Sequence, residues 1–295
     1  MTTLSQKPLR SKPRPRLGKW LSRNALPMYA FVALGYLFIP VVYTFVFSFN
    51  DSGKSNLDWR GFTFDKWANP CGAPDVCPAV VNSLQIGLLS TFIATLLGTM
   101  VAFALVRHRF RGRSVTNLLI FLPMATPELV LGASLLALFL NLGVGLGFTT
   151  IVVGHVIFSV SFVIVTVKAR LTGLDPNLEQ AAMDLYANEF QTFRRITLPL
   201  VAPGILAGAL LAFSLSFDDF ILTNFNSGDV NTFPKFVWSS SLRGLPAQAN
   251  VIASAMFVLA LTAVLVAQVM PGRRKSRPVS SPPKGGKAFW RRAER

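Results

Sequence analysis

Long apolar runs alternate along this chain with short polar segments that are either strongly basic or mildly acidic. A helix rising ~1.5 Å per residue needs roughly 20 mostly apolar residues to cross a hydrocarbon core of ~30 Å. Six runs reach that length, at about residues 26–49, 80–106, 115–140, 147–167, 200–225 and 251–270. They are continuous rather than alternating, which excludes the strands of a membrane barrel, and a helix satisfies its own backbone hydrogen bonds in lipid. The pattern predicts an all-α, polytopic membrane protein with six transmembrane helices.

Composition agrees: 52% of residues are hydrophobic and 14% charged, with a mean hydropathy of +0.48. The net charge of +16 would suit nucleic acid if it were spread over a folded surface, but it is concentrated in the two tails. Lys7, Arg10, Lys12, Arg14, Arg16, Lys19 and Arg23 precede the first run, and nine Lys and Arg residues between Arg273 and Arg295 follow the last. Basic residues beside spans mark the cytoplasmic side and can touch anionic lipid headgroups, so no nucleic-acid partner is expected. The inter-span segment from Arg107 to Arg113 and the Lys168, Arg170, Arg194 and Arg195 group are also basic; the other connections carry Asp51, Asp58, Asp65, Asp75 and Asp229. This distribution predicts a multi-pass plasma-membrane protein with both termini in the cytoplasm. The first run is too long for the apolar region of a cleavable signal and is expected to remain as a span. The expected layout is a basic tail over 1–25, a transmembrane domain over 26–270, and a disordered basic tail over 271–295.

Cys71 and Cys77 both fall in the first outward connection, where an oxidising compartment permits a disulfide; two separate thiols fit the spacing equally well. His108 and His155 lack ligand neighbours, so no metal site is expected, and His155 reads as a packed polar residue of the fourth span. The chain has no G-x-x-x-x-G-K-[ST] phosphate loop and no nucleophile–base set. No catalytic residue and no bound cofactor are expected.

Between the fourth and fifth runs, residues 171–199 stay polar for too long to be a mere connector. Asp175 and Asn177 can start a short helix with Leu178, Ala181, Ala182 and Leu185 on one face, with Glu179, Asp184 and Glu189 mostly off it. A second short helix is predicted from Glu189 to Thr197, stopping before Pro199. Glu179-Gln180-Ala181-Ala182, followed by Ile196, Leu198 and Pro199, resembles the EAA loop of ABC-importer permeases: E-A-A, three residues, G, nine residues, I-x-L-P. Gln180 stands where that pattern has glutamate, although Glu179 precedes it. Tyr186 replaces the glycine of the tight turn, where positive φ is strained for any other residue.

The likeness extends through Phe47-Ser48-Phe49-Asn50-Asp51-Ser52, Trp59-Arg60-Gly61-Phe62-Thr63, Arg109-Phe110-Arg111-Gly112 and Leu215-Ser216-Phe217-Asp218-Asp219-Phe220. Together these resemble the PotC-type permeases of spermidine/putrescine importers. The resemblance implies the type I ABC-importer permease fold and a cytoplasmic loop of coupling helices that fits a separate ATPase. It also implies a second permease subunit, two copies of the ATP-consuming subunit and an extracytoplasmic solute-binding protein.

The acids carry an independent argument. An aspartate at a span centre costs about 2.5–3.5 kcal/mol on insertion scales, so Asp218 and Asp219 need a water-filled cavity or a cation. Glu128, beside the helix-breaking Pro127 in the third run, is another such acid. With Ser216 and an aromatic at the outward mouth, Trp59, these residues offer ion pairing and cation–π contact to an extended cation such as a polyamine. The alternative for the aspartates is structural, as the cap of a broken helix. Another small cationic solute remains open as substrate, and so does an ion-coupled secondary transporter, against which the long polar loop argues.

Overall fold

The computed structural model describes residues 17–269, apart from Lys54 and Pro176. Most of the amino-terminal basic cluster (Lys7 to Arg16) and the whole segment expected to be disordered, 271–295, lie outside the described residues. The elements are α1 (Leu17–Phe47), α2 (Asp65–Ala68), α3 (Val76–Arg107), α4 (Arg113–Ala125), α5 (Glu128–Asn141), α6 (Phe148–Thr172), α7 (Asn177–Asp184), α8 (Glu189–Thr192), α9 (Leu198–Asp218), α10 (Ile221–Asn226), α11 (Phe233–Ser241) and α12 (Ala247–Val269). Among the described residues there is no strand, only an isolated bridge between Asn50 and Phe62. Among the described residues five helical stretches are long and apolar enough to cross a membrane, or six when α4 and α5 count as one broken span.

The core is the triple contact of α3, α6 and α9. Lipid tails are as apolar as leucine, so membrane helices associate by close packing, which favours small residues at the seam. In α3, Ser90, Ala94, Gly98 and Ala102 recur every fourth residue and are all buried. Gly204, Gly208 and Ala212 do the same in α9, and Ile151, His155, Ser159, Val163 and Val167 in α6. A Cβ on Gly98 would sit 2.8 Å from the Val163 side chain, and one on Gly204 would sit 2.6 Å from Arg170 Cβ. Both glycines are required by backbone approach. Helix α1 instead packs mainly along α12 and exposes most of its apolar surface.

Two expectations need correction. The third span is not continuous: α4 and α5 meet at 104° across Thr126 and Pro127. Pro127 has no N–H to give and forces Thr126 into an extended conformation, ψ 131°. The short helix from Glu189 does not stop before Pro199. It runs through a π turn, Phe193–Thr197, in which Leu198 N–H reaches back to Phe193 O, directly into α9. The wider turn makes room for the proline ring, and Pro199 falls in the first turn of α9.

The fifth run is likewise broken, since α9 ends at Asp218 and α10 starts at Ile221. On the first connection, Asn50 Nδ2 donates to Asn56 Oδ1 (2.6 Å) and to Asp58 O (2.7 Å), while Asn56 Nδ2 donates to Phe47 O (2.7 Å). Cys71 and Cys77 form a disulfide at the entrance to α3.

Candidate functional site

Both helix breaks come together, because α10 packs against α5 and α6. Asp219, in extended conformation after α9, turns its carboxylate onto the start of α10. Oδ1 accepts from Leu222 N–H (3.0 Å) and Oδ2 from Thr223 N–H (3.2 Å). These are donors that the first turn of a helix leaves without backbone partners. Oδ2 also lies 2.8 Å from His155 Nε2, and both side chains are sealed from solvent. His155 Nε2 is 3.1 Å from Thr223 Oγ1, Nδ1 is 2.6 Å from Ser216 Oγ, and Ser216 Oγ is 2.9 Å from Ser90 Oγ. A carboxylate that already accepts from two backbone N–H groups is an acceptor for His155 Nε2 as well, and the other ring nitrogen shares a hydrogen bond with the Ser216 hydroxyl. A polar chain from Ser90 to Thr223 thus ties α3, α6, α9 and α10 at the break.

Asp218 and Glu128 are placed differently. Asp218 is exposed and Glu128 half-buried, and Glu128 lies within electrostatic reach of Asp219, His155 and Asp218. Among the described residues the close acid–base contacts are Arg107–Glu179 and His155–Asp219, and neither involves the Asp218 or Glu128 carboxylate. Trp59 stands apart on the connection after α1, 48% exposed, with its edge to Phe47. Phe220, the residue after the two aspartates, packs against Trp238 of α11, with ring centroids 5.2 Å apart. Sequence reading missed Ser90, Thr223 and Trp238; His155 is the packed polar residue expected of the fourth span, and its partners were what went unseen. The four-residue recurrence of small and polar residues in α3 and α6 was the available signal for Ser90 and His155; nothing in the pattern pointed to Trp238.

At the other end of α9, Asp175 Oδ1 accepts from Asn177 N–H (3.0 Å) and opens α7. Gln180, Ala181 and Asp184 of α7 are exposed, and Ala182 is buried beneath it. Tyr186 takes φ 63° in the turn after α7 and is 98% exposed. Asn188 and Gln191 cap α8 reciprocally, with Glu189 its exposed first residue; Ile196 is half-buried in the π turn and Pro199 exposed. Leu178, Met183, Leu185 and Phe190 add exposed apolar surface to this loop.

The family model described as the binding-protein-dependent transport system inner membrane component matches residues 94–273. The chain belongs to that family of multi-pass transport permeases. Its relatives include the spermidine/putrescine transport system permease protein PotC of Haemophilus influenzae, 34% identical over 255 residues, or 86% of this chain and 98% of that protein. PotC of Escherichia coli K12 is 37% identical over 236 residues, covering 80% of this chain and 89% of its own. The putrescine transport system permease protein PotI of the same strain is 36% identical over 228 residues, covering 74% and 80%. Among solved structures, a bacterial ABC transporter involved in the import of the acidic polysaccharide alginate shares the fold, with a TM-score of 0.60 at 17% identity over 87% of this chain and 98% of its own. A fold shared with a transporter of an acidic polymer leaves the substrate to the side chains.

Proposed function

We propose that this chain is a membrane-spanning subunit of an ATP-driven importer that carries a polyamine, spermidine or putrescine, across a bacterial plasma membrane. The observation that carries the reading is the likeness, at 34–37% identity over most of the chain, to permeases named for those two substrates. The side chains support it. Glu128 and Asp218 are carboxylates outside both close acid–base contacts at a double helix break, and Phe220, the residue after the aspartates, packs against Trp238. An ammonium group would pair with the acids while the methylenes between ammonium groups lie along the rings. Asp219 serves this site from behind, because its oxygens are already engaged by α10 and His155.

The polar loop with exposed Leu178, Leu185, Tyr186 and Phe190 offers a docking surface to a separate ATPase. A second permease subunit would complete the passage, and a solute-binding protein would deliver substrate to the outward loops. Basic inter-span segments support the placement of both termini in the cytoplasm. The test is growth: a bacterium unable to make or import polyamines, given this chain with its companion subunits, should grow on micromolar spermidine or putrescine. Growth only at concentrations that also feed the parent cells would reject the reading.

A further inference from the structure

The carboxyl end of α3 reaches α7 through a side-chain contact that the docking surface itself does not need. Arg107 Nη2 donates to Glu179 Oε1 and also to Thr197 Oγ1 at 3.3 Å, and Thr197 Oγ1 donates to the same Glu179 oxygen. Thr197 is buried in the π turn that leads into α9. The Arg107 guanidinium also lies over the Phe103 ring, 5.7 Å from its centroid, and Phe103 meets Phe193 of the π turn edge-on at 5.6 Å. One guanidinium therefore joins three elements: the end of a membrane helix, the loop helix α7, and the turn that starts another membrane helix.

We propose that Arg107 is a positioning residue that passes displacement of α7 to α3 and α9 together. The proposal rests on the reading that an ATPase docks on this loop. The pair is part-exposed, with side-chain accessibilities of 39% and 29%, and such a pair contributes little to fold stability. Its geometry is directional instead. The two donors on Arg107 Nη2 and the shared Glu179 oxygen fix α7 relative to both membrane helices, so that a push on α7 reaches the α3–α9 seam. That seam carries Ser90 and Ser216, the first links of the chain that ends at Asp219. The loop and the helix break are thereby connected through two rigid helices.

The test uses the assembled transporter, with this chain, its partner permease, the ATPase and the solute-binding protein, and reads the ratio of ATP hydrolysis with binding protein to that without. A linked unit predicts that Arg107→Ala, Glu179→Ala and the double variant each lower that ratio about five-fold, and to the same level. The reversed pair, Arg107→Glu with Glu179→Arg, should recover at least part of it. Losses that multiply in the double variant, an unchanged ratio, or loss of the ATPase from the purified R107A complex would overturn the proposal, the last by assigning the pair to docking. Absence of polyamine transport by the unaltered complex would reject the substrate reading alone, since the stimulation ratio still reports the linkage.

Discussion

His155 Nε2 and Asp219 Oδ2 lie 2.8 Å apart with both side chains almost wholly buried, and the same carboxylate caps the first turn of α10. One acid of the adjacent pair is thus consumed in holding the helix break open, which leaves Asp218 facing outward. Removing one member of a buried pair strands the other, a loss of about 3–5 kcal/mol. Asp219→Ala should therefore lower the thermal midpoint of the purified protein sharply. Asp219→Asn, which keeps an acceptor for α10, should lower it less. Equal stability of Asp219→Ala and the unaltered protein would remove the pair from the account.

Glu128→Gln and Asp218→Asn should behave in the opposite way. Neither carboxylate has a backbone N–H partner, although Glu128 lies in the first turn of α5, so stability should fall by no more than about 1 kcal/mol. Loss of a charge-assisted contact to an ammonium, worth about 1.5–3 kcal/mol, should raise the half-saturating polyamine concentration about ten-fold or more. Unchanged uptake with lowered stability would make these acids structural.

Gly98→Ala places a Cβ 2.8 Å from the Val163 side chain at the centre of the α3–α6 seam. Overpacking there should cost about 1–3 kcal/mol. Adding Val163→Ala should restore part of it, because the two changes share one contact. Unfolding in a graded detergent mixture measures both. No recovery in the double variant would place the strain elsewhere.

The Cys71–Cys77 bond closes a loop with a sequence separation of 6. A cross-link over so short a loop contributes about 2 kcal/mol in the chain-entropy treatment. Neither cysteine should react with a maleimide until a reductant is added, and reduction should lower the thermal midpoint modestly. Labelling of untreated protein would show free thiols.

The apolar pattern located four of the six spans as single helices, to within several residues, because length and hydrophobicity alone decide whether a segment can cross a bilayer. It could not show how sharply Pro127 turns the third span, since a proline can kink a helix or end it, and packing of α5 against α10 selects the turn. The acids Asp218 and Asp219 stood out as anomalies in an apolar run. Their opposite roles did not, because the division depends on His155, 64 positions away by number, meeting Asp219 in space. Pro199 was misleading for a related reason: the π turn that absorbs it leaves no mark in the pattern of apolar positions. Tyr186, by contrast, was legible as a departure from the family's glycine, and it does take the positive φ of that turn.

Uptake of radiolabelled spermidine and putrescine into proteoliposomes tests the central claim most directly. The vesicles would contain this chain with its partner permease and ATPase, with binding protein outside and ATP inside. The account predicts ATP-dependent accumulation of at least one of the two polyamines, abolished when ATP is omitted. Accumulation that continues without ATP, or ATP hydrolysis stimulated by the binding protein with neither polyamine taken up, would contradict it.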